Sequence, residues 1–287
     1  MIQVAVIPVA GLGTRFLPVT KAVPKEMLPI VDRPCIEYVV AEAVEAGLSR
    51  IVFVTARGKD ALVDYFDRSP TLEQHLLDTG KADVLAELRR ITRMAEVVAV
   101  RQQEALGLGH AVLTALPAVG EQDFAVLLGD DIMDSRTPAS GQLLQAHAEV
   151  GGAVVGLFEV PREHTNRYGI CAGPWVQPGR MQVAAMVEKP SPETAPSNQA
   201  IVGRYVLPGE IFEILAHTPR GKGGEVQLTD AIAVLCARGQ VHGQVLEGLR
   251  HDTGNVLGLL RASLHYARKR PELRAGLDEI LAELQRS

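Results

Sequence analysis

Residues 3–9 read Gln-Val-Ala-Val-Ile-Pro-Val, and the chain then runs straight into Ala10-Gly11-Leu12-Gly13-Thr14-Arg15. No other feature constrains the fold as much. An apolar run without polar alternation suits a strand buried on both faces, which belongs in a parallel sheet covered by helices. The glycines that follow let backbone N–H groups approach a ligand, because no Cβ obstructs them. Phe16 stands where the dinucleotide fingerprint needs its third glycine, and no Lys-Ser/Thr follows at Walker A spacing. A dinucleotide-dependent oxidoreductase is therefore disfavoured.

The rest of the first half keeps the pattern. Ile36 to Ala46 places apolar residues at 36, 39, 40, 43 and 44, a helical stripe, and Gly47 supplies the stop. Strands are expected at Ile51 to Ala56, Glu96 to Arg101 and Phe124 to Leu128, and helices at Leu72 to Met94 and Gly109 to Leu116. This βαβα order predicts an α/β fold with right-handed crossovers. Past residue 150, strands at Ala153 to Val160, Gln182 to Val187 and Ala200 to Val206 are separated by Gly- and Pro-rich loops. Helices are expected at Pro208 to Ala216, Gln227 to Ala237, Asn255 to Ala267 and Glu272 to Gln285. A single domain is expected, with a nucleotide-binding half (1–150), a substrate half (151–254) and C-terminal helices (255–287). The two halves are expected to share one sheet.

Charge narrows the partners. Lys and Arg number 29 against 34 Asp and Glu, a net charge of −5, which excludes a generally basic, duplex-coating protein. Aromatics at 4% are too few for repeated base-stacking platforms. The N-terminal apolar run stops at Pro8 without a basic segment before it, and no stretch reaches the ~18 apolar residues of a membrane span. A soluble cytoplasmic chain is expected, bound to neither membrane nor nucleic-acid polymer. Cys35, Cys171 and Cys236 are widely spaced, form no C-x-x-C pair and read as small buried residues.

Against this acidic background, residues 1–34 carry Arg15, Lys21, Lys25 and Arg33 but only Glu26 and Asp32, a local charge of +2. Pro18, Pro24 and Pro29 restrict the same stretch, so the cations are held rather than loosely displayed. A constrained cationic loop beside a glycine cradle suits a triphosphate. The strand from Phe124 ends in Gly129-Asp130-Asp131, and ligand sites in parallel sheets lie at the carboxyl ends of strands. Carboxylates there suit Mg²⁺, which takes one or two of them and completes its shell with waters and phosphate oxygens.

Gly11-Leu12-Gly13-Thr14-Arg15 with Pro24-Lys25-Glu26-Met27-Leu28-Pro29 resembles the signature of the sugar-nucleotide pyrophosphorylases, nucleotidyltransferases that act on sugar 1-phosphates. The resemblance runs from residue 2 to about residue 267. It implies a Rossmann-like, mixed, mostly parallel central sheet flanked by helices, of the nucleotide-diphospho-sugar transferase type. In its terms Ala10, Gly11 and Gly13 cradle the nucleotide, while Arg15 and Lys25 neutralise the triphosphate and the departing pyrophosphate. Gln102, in the segment Arg101 to Ala111, reads the base with the backbone of Gly109 assisting. A Gln amide offers both a donor and an acceptor to the edge of uracil. His110 is read as a structural residue at a helix start.

The same resemblance assigns Asp130, and Asp252 in His251-Asp252-Thr253-Gly254-Asn255, to Mg²⁺, and leaves Asp131 a structural role on the opposite phase of the strand. Gly129 departs from the Pro more common in the nearest branch. Tyr168-Gly169 resembles the sugar-contacting turn, and Val187-Glu188-Lys189-Pro190 the sugar-phosphate motif, with Glu188 orienting the sugar and Lys189 holding its phosphate. Ala195 to Tyr205, Gly224 to Ile232 and the charged helical stretch over 72–94 resemble the bacterial UTP–glucose-1-phosphate uridylyltransferase branch. That branch implies UTP and glucose 1-phosphate as substrates, UDP-glucose and pyrophosphate as products, Mg²⁺ as cofactor, and a homo-oligomer, dimer or tetramer. Two alternatives remain. One is a dTTP-using thymidylyltransferase, because thymine shows the same hydrogen-bonding edge. The other is a non-catalytic sugar-nucleotide sensor on the same fold.

Overall fold

The structure is a computed structural model that describes residues 2–286. Strand β1 (Val4–Pro8) leads into three 3₁₀ turns, Thr14–Phe16, Val19–Lys21 and Lys25–Met27, and then a small hairpin, β2 (Pro29–Ile30) and β3 (Arg33–Pro34). Next come α1 (Cys35–Glu45), β4 (Arg50–Thr55), α2 (Asp60–Asp64), α3 (Pro70–Asp78), α4 (Ala82–Thr92) and β5 (Glu96–Arg101). They are followed by α5 (Leu108–Thr114), α6 (Leu116–Val119), β6 (Phe124–Leu127), β7 (Asp131–Asp134), α7 (Ala139–Val150) and β8 (Ala153–Glu159). Four strands, β9 (Gly169–Ala172), β10 (Trp175–Gln177), β11 (Arg180–Gln182) and β12 (Ala185–Glu188), precede the long β13 (Gln199–Leu207). The chain ends in α8 (Ile211–His217), α9 (Leu228–Ala237), β14 (Val241–Val245), β15 (Leu249–Asp252), α10 (Val256–Lys269) and α11 (Pro271–Arg286).

The central sheet runs β10-β11-β14-β8-β13-β6-β1-β4-β5. It is parallel from β6 through β1 and β4 to β5, and again between β8 and β14. β13 lies antiparallel between β6 and β8, and the β9–β12 pair branches from it. The period-two geometry of a strand puts Val4 and Val6 in one apolar cluster, with Val112 of α5, Phe212 of α8 and Leu235 of α9. Ala5 and Ile7 enter the opposite cluster, with Ile36 and Val39 of α1, Phe53 of β4 and Ala262 of α10. Helices therefore cover both faces, and each fully buried Val, Ile or Phe contributes roughly 1.5–3 kcal/mol.

Several elements differ from the sequence expectation. The helix expected over 72–94 is two helices, because Gly80 sits at φ +70°, a left-handed turn that ends α3. The strand expected over 182–187 breaks at Val183–Ala184, where the segment changes partner. Val183 N donates to Val241 O of the main sheet, and Ala184 N to Ala172 O of β9. The helix expected over 109–116 stops at Thr114, and α6 starts with Pro117 in its first turn. The antiparallel β7–β15 ribbon was not anticipated at all. Among the described residues no helix is long and apolar enough to cross a membrane.

Candidate active site

The loop after β1 is the floor of a cleft of about 600 Å³ lined by Ala10, Gly11, Gly13, Arg15, Lys25 and Gln102. The backbone N–H groups of Gly11, Leu12 and Gly13 donate to no described protein group, which leaves them free for an anion. Gly13 is favoured as glycine on two counts. Its φ is +67°, and a Cβ there would lie 3.3 Å from both Lys25 Cβ and Thr20 Cγ2. Thr20 Oγ1 donates to Gly13 O at 2.8 Å and pins the loop onto the following turn. The next turn, Lys25–Met27, is anchored by Glu26, 1% exposed, which accepts from Lys59 Nζ at 2.9 Å. Burial pushes the Glu26 carboxyl up and the Lys59 ammonium down, and the pair holds the turn in place.

A second cleft of about 670 Å³ adjoins the first and shares Arg15, Leu108, Leu128, Asp130 and Glu225 with it. Glu188, Lys189, Gly169 and Asp252 line this second space. Lys25 Nζ donates to Asp130 Oδ2. Burial alone would raise the Asp130 carboxyl, but Lys25, with a smaller contribution from Arg15, holds it below its ordinary value. For Lys25, burial works to lower the ammonium, and Asp130 and Glu26 overcome it.

Asp130 and Asp252 converge on Gly254. A Cβ there would lie 2.8 Å from Asp130 Oδ2 and 3.1 Å from Asp252 Oδ1. Two carboxylates around a space that only glycine leaves open fit a hard divalent cation that draws its remaining ligands from phosphate and water. Among the described residues there is no group of three or more acidic, His or Cys side chains placed to hold a metal ion, as a cage made wholly of protein ligands would require. Asp131 is instead taken up in a forked pair with Arg250, at 2.6 and 2.8 Å. Register sets Asp252 opposite Asp131 on one face of the β7–β15 ribbon, and Arg250, two residues before Asp252 on that same face, takes the Asp131 carboxylate.

In the second cleft, β12 ends at Glu188, opposite Gly169 of β9. Lys189 follows at φ +48°, a left-handed conformation that costs a non-glycine residue roughly 1–3 kcal/mol and gathers at functional sites. Its N–H donates to Tyr168 O at 2.9 Å, which fixes the turn. Glu188 accepts from Thr229 Oγ1 and from Lys189 Nζ, both at 2.7 Å.

All the expected site residues line one of the two clefts except Gly109. Its N–H already donates to Val226 O at 2.9 Å, so the expected backbone help to the base is not available from that donor. The glycine is needed for space, since a Cβ would lie 2.8 Å from Val226 O.

Three supporting residues were missed. Arg204, 1% exposed, pairs with Glu42 and donates to Leu128 O and Asp131 O, on either side of Gly129-Asp130. A bulge in β13 with Gly203 at φ +51° turns it that way. A lone Arg inside an apolar strand was a readable signal that a buried partner existed. Arg250 precedes Asp252 by two, on the same strand face, but no strand was assigned there. Thr229 carried no signal of its own.

The sequence pattern of the Nucleotidyl transferase family matches residues 4–269. A Bacillus subtilis protein named UTP–glucose-1-phosphate uridylyltransferase YngB is 49% identical over 276 residues, covering 96% of this chain and 93% of that one. The solved structure of a UTP-bound UGPase from Acinetobacter baumannii superposes with a TM-score of 0.91 at 44% identity, covering 99% of this chain and 100% of that one. A UDP-glucose pyrophosphorylase complexed with UDP-glucose gives a TM-score of 0.87 at 42% identity, with 94% and 100% covered.

Proposed function

The chain belongs to the Nucleotidyl transferase family, and we infer that it transfers a uridylyl group from UTP to α-D-glucose 1-phosphate, giving UDP-glucose and pyrophosphate. The observation that carries this reading is the pair of adjoining clefts, one with a glycine cradle and one with Glu188 and Lys189, meeting at Arg15 and Asp130. One cleft takes the nucleotide and the other the sugar phosphate, so the two reacting groups meet at the junction.

The sugar phosphate is itself the nucleophile. One of its oxygens attacks the α-phosphorus in line, a new P–O bond forms, and the bond to the β-phosphate oxygen breaks as pyrophosphate leaves. No protein nucleophile is required. Holding both reactants in line can supply about 7–11 kcal/mol of the barrier. Gly11 and Gly13 receive the phosphates on backbone N–H groups, and Arg15 and Lys25 offset charge on the departing pyrophosphate. Glu188 accepts from sugar hydroxyls, its carboxylate aimed by Thr229, and Lys189 pairs with the sugar phosphate. Asp130 and Asp252 would hold a divalent cation, taken here as Mg²⁺, which when bound neutralises phosphate charge. Two anionic substrates repel each other, so Lys189 and the cation are needed together.

A homo-oligomer, a cytoplasmic location and the division at residues 150 and 254 belong to the same reading. Val256, Leu257 and Leu260 stand exposed along α10, which supports self-association, and sedimentation velocity tests it. Turnover of UTP and glucose 1-phosphate, followed as UDP-glucose, tests the activity. dTTP in parallel separates the thymidylyl reading.

A further inference from the structure

Gln102 is 7% exposed and lines the nucleotide cleft. Its main-chain N–H donates to Thr55 O at 2.8 Å, which anchors it to the end of β4. Its side-chain Nε2 lies 3.3 Å from Gly107 O and 2.9 Å from His110 Nδ1. A backbone carbonyl can only accept, so the amide end beside Gly107 is the NH₂ end. Gly107 O also accepts from Ala111 N at 3.0 Å, the first bond of α5, so its position is set by the helix. The amide has two hydrogens, and both are now spent. His110 Nδ1 must then be an acceptor, which puts the ring proton on Nε2. Gln102 Oε1 accepts from no described protein group and is the one amide atom left for a ligand.

We propose that His110 is a specificity-determining positioning residue: by accepting from Gln102 Nε2, it leaves Gln102 to present only a carbonyl to the base. This rests on the uridylyl reading above and deepens it. A carbonyl accepts from the N3–H of uracil or thymine. Cytosine carries a bare lone pair at N3, so it leaves Oε1 facing another acceptor. The amide cannot turn to rescue cytosine, because that would set Oε1 against Gly107 O. Gln102 therefore does not offer a donor and an acceptor side by side, as the sequence suggested. One of its two faces is committed within the protein.

An unmatched buried acceptor costs enough to change a binding ratio by roughly 5- to 150-fold. The test compares kcat/KM for UTP and CTP in the intact protein, in His110→Phe and in His110→Asn. Asn can return an acceptor oxygen near the place of Nδ1, and Phe cannot. The UTP-over-CTP ratio is expected to fall about tenfold or more in His110→Phe, through the nucleotide KM rather than kcat, and to recover in His110→Asn. An unchanged ratio in a folded His110→Phe protein overturns the proposal. So does an equal loss in both variants.

Should His110→Phe fail to fold, ¹⁵N NMR of the histidine-labelled native protein decides, with His110 assigned by its absence in His110→Asn. The proton is expected on Nε2, and a proton on Nδ1 contradicts the proposal. A native protein that turns over no nucleotide would sink the uridylyl reading, while the tautomer would still report the amide orientation.

Discussion

Arg204 Nη2 lies 2.7 Å from Glu42 Oε2, with Arg204 1% and Glu42 7% exposed, and the pair spans 162 residues of sequence. Nε donates to the same carboxylate, while Nη1 donates to Leu128 O and Nη2 also to Asp131 O, carbonyls on either side of Gly129-Asp130. The pair is therefore a buried clamp on the loop that carries Asp130, and its geometry matters more than its charge. Removing one partner of such a pair strands the other without solvent. Arg204→Met is expected to cost about 3–5 kcal/mol in denaturant unfolding. A loss below 1 kcal/mol would show that Glu42 finds another donor.

The two adjacent carboxylates should part in their effects. Asp130→Asn is expected to abolish activity at every Mg²⁺ concentration. Asp131→Asn, which strands Arg250, is expected to lower the melting temperature while leaving the Mg²⁺ dependence of the remaining activity in place. A swap of these outcomes would mean that Asp131 is the ligand.

Gly254→Ala places a methyl group where Asp130 and Asp252 converge. The fold should survive, because the change is one carbon at a cleft wall. Mn²⁺ binding, followed by electron paramagnetic resonance without nucleotide, is expected to weaken about 10- to 100-fold. Unaltered Mn²⁺ affinity would place the cation elsewhere.

Much of the site could be read along the chain because its motifs are local. The glycine loop, the Lys25 turn, Gln102, the β6 terminus and the Glu188-Lys189 pair are each a few consecutive residues at the end of an element. What could not be read is long-range or compensatory. Nothing in Asp131-Ile132-Met133-Asp134 or Leu249-Arg250-His251-Asp252 announces a ribbon, because neither run is rich in strand-forming residues, and the two pair only across more than a hundred residues. The Gln102–His110 bond was equally hidden, since the helix start that brings the two together depends on Gly107 at φ +95°. That the Gly109 N–H is spent on Val226 O was hidden too, because a spent donor looks the same in sequence as a free one.

Lys25→Ala is expected to lower kcat by about 10²–10³, the range for losing one preorganised charge partner of a developing anion. The KM for glucose 1-phosphate should change little, because Lys25 lines the nucleotide cleft and not the sugar cleft. A large rise in that KM with kcat kept would move Lys25 to the sugar phosphate.

The three cysteines give a pH-dependent check on the core. Burial pushes the Cys35 thiol up to about 12 and Cys236 up to about 11, and it raises Cys171 as well. A raised thiol stays protonated until the pH approaches its folded value, so at pH 8 the reactive thiolate is scarce in all three. Native protein is expected to take up no Ellman reagent at pH 8 within an hour, and to take up three equivalents after unfolding. Rapid modification of the native protein would contradict the packing of α1 and α9.

The central claim is that the two adjoining clefts bring UTP and glucose 1-phosphate together for direct transfer. The most direct measurement incubates the protein with Mg²⁺, α-³²P-labelled UTP and glucose 1-phosphate, and separates the products. Label in UDP-glucose, with one pyrophosphate released per transfer and none formed without glucose 1-phosphate or without Mg²⁺, is the predicted result. Failure to form any labelled nucleotide sugar from UTP or dTTP, with protein that is folded and binds UTP, would contradict the account.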